Sequence, residues 1–167
     1  MPATEYVKLL QLQPHPEGGF YKETYRSTES ISHTGLPPRF AAGDRSFSTA
    51  IYYLLEIGDF SAFHRIRSDE GWHFYAGGPL LVHVILPNGI YACTRLGNNL
   101  SRGEVFQLVV PAMTWFASEP APGTDFSLVG CTVAPGFDFY DFELADKRTL
   151  QQEFPQHAAV INRLCRK

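Results

Sequence analysis

Between Ser46 and Ser118 apolar and polar residues alternate in short runs punctuated by Gly, Pro and Asn, and no 3.6-residue helical period intervenes. The runs Thr49–Glu56, Ala62–Ile66, Trp72–Tyr75, Leu80–Leu86, Ile90–Leu96 and Glu104–Val110 read as β-strands, and another strand pair follows, ending near Phe126–Val133. Pro87-Asn88-Gly89 is the clearest hairpin turn, because Gly, and at some cost Asn, tolerates positive φ. Upstream, Phe20 to Arg26 has the aromatic content of a strand, and Ser27 to Gly43, rich in Ser, Thr, Pro and Gly, reads as a loop, either a lid or an exposed connection. Only the ends look helical. Thr4 to Leu10 forms a short helix with Thr4 as N-cap and Tyr6, Leu9 and Leu10 as its apolar face, stopped by Pro14 and Pro16 and packed outside the sheets. From Asp146 the pattern changes again, and Ala158, Ile161 and Leu164 share one face of a terminal helix after Pro155. Many short strands without alternating helices predict an all-β sandwich, jelly roll or closed barrel and exclude a βαβ fold.

The 167 residues suffice for one domain, 1–167, with a sizeable core. With 44% hydrophobic residues, 14% aromatic and only 19% charged, the chain is a packed globule and not a disordered one. The net charge of -3, with scattered Lys and Arg, offers no electrostatic footprint for nucleic acid or an anionic membrane. No apolar run approaches the ~20 residues of a membrane span, and Met1 to Lys8 lacks a signal pattern, so the expected location is cytoplasmic. Cys93, Cys131 and Cys165 are widely spaced and read as buried free thiols.

The stretch from Gly58 to Gly78 holds two candidate metal ligands, His64 and Glu70. Imidazole nitrogen and carboxylate oxygen suit borderline divalent metals, and on adjacent antiparallel strands the two could point into one cavity. The same pair could equally be a hydrogen-bonded contact lining a barrel. Side-chain alternation places Trp72 and Phe74 on the face of Glu70, and His73 and Tyr75 on the opposite one. Trp72, Trp115, Tyr52 and Tyr25 are candidates for an aromatic wall that would stack on a sugar ring, base or other planar group, against the alternative of an ordinary aromatic core. Gln107, between Phe106 and Leu108, is a candidate hydrogen-bonding ligand group. His83, in an apolar run, reads as a satisfied sheet residue outside the site. Glu17-Gly18-Gly19 and Gly77-Gly78 read as turns, since no helix start follows them as a phosphate loop requires.

Gly58, His64, Glu70 and Gly77 fall at the spacings of the first cupin motif, G-x(5)-H-x-H-x(3,4)-E-x(6)-G, with Ile66 where the second histidine stands. The second motif, G-x(5)-P-x-G-x(2)-H-x(3)-N, is matched at Pro111, but Gly103 is two residues too far away, Met113 replaces glycine and Phe116 replaces histidine. The resemblance extends along most of the chain, through His15 to Phe20, Glu23 to Ser27, Ser68 to Tyr75, Val110 to Trp115 and Ala134 to Phe137, to a group of small single-domain cupins of unknown function. It implies a double-stranded β-helix, a jelly-roll barrel like that of the cupin-like epimerases, with short N- and C-terminal helices and a homodimer built through the barrel faces. A complete cupin metal centre has three His and one Glu. The cofactor is therefore unknown, and a divalent metal, if any, would rest on His64 and Glu70 with an incomplete ligand set.

The first functional expectation is a barrel that binds a small molecule, a carbohydrate or nucleotide-linked sugar, and acts as an epimerase or isomerase with His64 and Glu70 catalytic and Tyr25, Tyr52, Trp72, Phe74, Gln107 and Trp115 holding the ligand. The alternatives are a metal-dependent isomerase or dioxygenase, with His73 or Gln107 completing the ligands, and a non-catalytic binding or interaction protein.

Overall fold

The computed structural model describes residues 1–40 and 43–166. Helix α1 (Ala3–Leu9) leads into β1 (Gln13–Pro14), β2 (Phe20–Arg26), β3 (Ser30–Ile31), β4 (Arg45–Ser46), β5 (Thr49–Glu56), β6 (Ser61–Arg65), β7 (Asp69–Gly77), β8 (Leu80–Ile85) and β9 (Tyr91–Leu96). These are followed by β10 (Gln107–Val110), β11 (Trp115–Pro120), β12 (Phe126–Ala134) and β13 (Glu143–Leu144), then by α2 (Lys147–Glu153) and α3 (Ala158–Leu164). One antiparallel sheet runs β1-β2-β5-β12-β7-β10 and the other β13-β6-β11-β8-β9. Their inner faces meet in a core that includes Tyr53, Trp72, Val82, Leu96, Phe116 and Val129. The all-β fold expected from the strand pattern is found, in the form of the jelly-roll barrel that the cupin resemblance implied.

Burial of these large side chains holds the two sheets together, at about 2 kcal/mol for each one fully removed from water. The Asn88-Gly89 hairpin joins β8 to β9: Gly89 takes φ 81°, and the Leu86 amide donates to the Ile90 carbonyl at 2.9 Å. On the outer face of the six-stranded sheet, Tyr6, Val7 and Leu10 pack with Ala3 against Leu54 and Leu128. Helices α2 and α3 cover the other sheet, with Leu150, Phe154, Ile161 and Leu164 against Phe63, Ile85 and Ala117.

Three local readings need correction. The extended backbone of Pro2 stands at the N-cap of α1, without a side-chain cap, so Thr4 lies inside the first turn; Leu9 is exposed, and Val7 takes its place on the apolar face. The loop from Ser27 to Gly43 contains β3, which pairs with β4 through Ser30 opposite Ser46 and Ile31 opposite Arg45; its residues Ala41 and Ala42 lie outside the described ones. Cys93 is exposed, whereas Cys131 and Cys165 are buried thiols. Among the described residues no helix is long and apolar enough to cross a membrane.

Candidate active site

One end of the barrel opens into a cavity of about 300 Å³ lined by residues of both sheets and of the segment between β1 and β2. Its deep wall carries His64, Ile66, Glu70, Cys131 and Val133, each at most 8% exposed. Phe137, Asp138, Phe139, Glu23 and Arg26 stand around the mouth, where Phe139 is 57% exposed.

His64 points inward because its neighbour Phe63 packs outward under the C-terminal helices. Its Nδ1 is 2.7 Å from the Ala62 carbonyl oxygen and 2.9 Å from Glu17 Oε2. A single Nδ1 proton cannot be aimed at both. The carbonyl has the hydrogen-bond geometry, which leaves Glu17 Oε2 a buried ion-pair neighbour with no hydrogen bond of its own. Nε2 is the ring nitrogen left to act on a ligand.

Glu17 enters the barrel through its turn. Gly18 and Gly19 adopt φ of 118° and 72°, and a Cβ would lie 2.3 Å from the Phe60 carbonyl oxygen at the first and 2.5 Å from that of Leu54 at the second. The turn is pinned by the Gly19 amide, which donates to Asp59 Oδ2 at 2.7 Å, and by Arg166, which donates to Asp59 Oδ1 at 2.7 Å and to the Glu17 carbonyl at 3.1 Å. The Glu17 amide donates to His15 Nδ1 at 3.2 Å, which makes that nitrogen an acceptor. The His15 ring rests edge-on against Tyr21, with centroids 4.6 Å apart.

The two histidines are pushed in opposite directions. Burial lowers the pKa of His15, with Glu17 opposing it and His64 adding to it. Burial also acts to lower His64, but the close Glu17 carboxylate, then the Glu70 charge and the hydrogen bond to the Ala62 carbonyl, outweigh it and raise His64 above the ordinary imidazole value. Glu70 is pushed up to about 7, first by burial; the His64 charge pulls it down, Glu17 pushes it up, and a hydrogen bond from Cys131 pulls it down. The deep wall thus holds an imidazole raised above its ordinary value beside a carboxyl group raised to about 7, which is poised to exchange its proton near neutral pH.

The structure sorts the other candidates by strand parity. Trp72 and Phe74 do share the inner face with Glu70, but they belong to the packed core and not to the cavity wall. Trp72 is 2% exposed and sits edge-on to Tyr53 and Phe116. Trp115 faces outward, beneath the C-terminal helices and Arg65, because its neighbour Phe116 takes the inward position. Tyr52 also faces outward, edge-on to Tyr75 at 5.9 Å. Tyr25 is 54% exposed, since an irregularity between Glu23 and Tyr25 shifts the alternation, so that Glu23 and Arg26 line the cavity and Tyr25 does not. Gln107 is exposed, opposite His73 in register, and His73 bonds Thr132 at 3.0 Å on the outside. The aromatic wall and the Gln107 contact are not assembled. His83 is satisfied outside the site by Tyr91 at 2.7 Å and Glu119 at 3.0 Å.

Sequence reasoning missed His15 and Glu17 as site residues. Both lie in the block from His15 to Phe20 that carried part of the cupin resemblance, and the Gly18-Gly19 pair was the local signal of a sharply positioned turn.

The metal implied by a cupin centre does not suit this donor set. Ile66 and Phe116 put hydrocarbon where two imidazoles would stand, and the Phe116 ring centroid is 4.0 Å from that of His64. Among the described residues no group of three or more His, Cys, Asp or Glu could hold a metal ion. His73 and Gln107, the proposed additional ligands, face away.

Comparison with known proteins agrees with this architecture. Residues 4–145 match the family model Cupin_5, described as cupin superfamily (DUF985). The chain is 34% identical over 140 residues to an uncharacterised protein of Saccharomyces cerevisiae, across 78% of this chain and 69% of that one. A hypothetical protein from Leishmania major superposes with a TM-score of 0.89 at 37% identity, covering 100% of both chains. A protein from Shewanella oneidensis also gives 0.89, at 40% identity over 99% of this chain and 98% of its own. Oxalate decarboxylase from Bacillus subtilis, at 13% identity and a TM-score of 0.56 over 90% of this chain and 36% of its own, shares the fold alone.

Proposed function

The chain belongs to the cupin superfamily, in the family of domain of unknown function 985, and from that premise we propose that it binds a small carbonyl compound of carbohydrate type and isomerises it by moving a proton. The observation that carries this reading is the placement of Glu70, 8% exposed, on the wall of an open cavity together with His64. Ionised Glu70 takes the proton from the carbon beside the carbonyl, and the electron pair moves onto the carbonyl oxygen. His64, cationic and held through Nδ1, donates from Nε2 to the oxygen where negative charge develops. In the enediol so formed, the hydroxyl on the carbon that lost its proton gives a proton back to His64 as Glu70 delivers its own to the former carbonyl carbon, which completes the isomerisation with both residues restored and no external oxidant or reductant needed. Glu17 acts through His64 by keeping it charged and oriented.

The free thiols Cys93, Cys131 and Cys165 favour a reducing, cytoplasmic setting. Exposed Tyr25, Tyr75 and Val109 give the outer face of the six-stranded sheet the apolar character of a homodimer contact.

The test is proton exchange. Hydroxyketones and aldoses incubated with the protein in deuterium oxide should gain deuterium beside the carbonyl, and Glu70→Gln should slow this by about 10²–10⁴-fold. Exchange no faster than in buffer for every compound would leave a non-catalytic binding protein as the reading.

A further inference from the structure

The mouth of the cavity differs in chemistry from its deep end. Phe137 and Phe139 stand there with ring centroids 5.0 Å apart, and Phe142 carries the aromatic surface inward, 6.3 Å from Phe139 and stacked on the His64 ring at 5.2 Å. Among the described residues, Arg26 is the one lysine or arginine lining the cavity. It is already engaged. Its Nε donates to Glu23 Oε1 at 3.1 Å and its Nη2 to Glu23 Oε2 at 2.7 Å, while Nη1 donates to the Phe137 carbonyl at 3.1 Å and to Ser46 Oγ at 3.4 Å. Asp138 lies on the same rim, and Glu17, 7% exposed with an Oε2 that accepts no hydrogen bond, lies on the deep wall with Glu70.

An anionic group entering this mouth would meet carboxylates and a guanidinium already committed to one. An uncharged apolar group would instead bury area against the phenylalanine rings. We infer that the ligand is amphipathic and not anionic: a carbonyl or hydroxyl end reaches His64 and Glu70, and an uncharged apolar or aromatic end rests on Phe137, Phe139 and Phe142. This rests on the site assigned above and narrows its substrate class, because sugar phosphates and nucleotide diphosphate sugars carry charge where the mouth accepts none.

The experiment uses two methyl ketones, benzylacetone with an aromatic end and levulinate with a carboxylate, titrated into the full-length protein and followed by protein-observed NMR. Benzylacetone should bind about tenfold more tightly than levulinate or more, shifting resonances of residues on the cavity wall. Phe139→Ala should weaken benzylacetone several-fold. Glu23→Gln, which releases Arg26, should strengthen levulinate several-fold and change its affinity by more than that of benzylacetone. Levulinate binding as tightly as benzylacetone, no binding of either, or no response to both substitutions overturns the inference. The two readings separate cleanly: benzylacetone bound without deuterium exchange at its carbonyl sinks the acid–base function and leaves the ligand class standing, while tight levulinate binding with exchange does the reverse.

Discussion

Glu17 Oε2 lies 2.9 Å from His64 Nδ1, joining the turn after β1 to the strand that faces it across the barrel end. Both side chains are at least nine-tenths buried. Because Glu17 raises both His64 and Glu70, Glu17→Gln should lower both pKa values. Burial then dominates at His64, which should titrate below the ordinary imidazole value. Titration of the histidine ring and the glutamate carboxyl by NMR reads both, and an unmoved His64 would show that Glu17 does not set its charge.

The Glu70 and His64 contributions to stability should fall as pH rises toward neutrality, while the lowered His15 and His83 act with the opposite sign. Glu70 is raised from its ordinary 4.5 to about 7, so below 4.5 it is protonated in both folded and unfolded chains, and above 7 the folded chain bears the cost of a buried charge. His64, also raised, keeps its contribution below its unfolded value and loses it as pH rises through the folded one, which is the same sign. The Glu70 part is on the order of 3 kcal/mol. The difference in stability between wild type and Glu70→Gln should carry this slope between pH 5 and 7 in denaturant melts; a parallel curve for the variant would contradict the assignment.

Trp115→Ala should cost roughly 3–5 kcal/mol of folding stability, since it empties a space beneath α2 and α3. Its neighbour in the chain, Phe116, faces inward, whereas Trp115 does not, so affinity for benzylacetone should be unchanged at temperatures where the variant is folded. A specific loss of binding would return Trp115 to the ligand site.

Protein purified without chelator should carry far less than one divalent ion per chain, given hydrocarbon at Ile66 and Phe116 and no suitable trio of donors among the described residues. Elemental analysis decides it: one tightly held metal per chain would reinstate the metal-dependent reading.

The molar mass in solution should be twice 18.7 kDa by light scattering, and Tyr75→Glu with Val109→Glu, on the exposed sheet face, should halve it. A wild-type monomer would remove the proposed dimer.

What the sequence determined by itself was local. Alternation within β7 places Glu70, Trp72 and Phe74 on one face and the Asn88-Gly89 pair ends one strand and begins the next, because these depend only on the two-residue period of a strand and on backbone freedom at single residues, while the resemblance to the cupin motif joins His64 to Glu70. What only the tertiary structure decided was how the faces of different strands combine. Strand period does not say which parity of β5 or β11 faces inward, so Tyr52 and Trp115 could not be placed until pairing put Tyr53 and Phe116 in the core. A single irregularity in β2 reversed Tyr25 and Arg26. Glu17 reached His64 through a turn pinned by Asp59 and Arg166, a contact between segments far apart in the chain that no local pattern encodes. The strands and the His64–Glu70 pair are therefore legible in the residues; the contact of Glu17 with His64, and the phenylalanine rim of the cavity, exist only once the barrel closes.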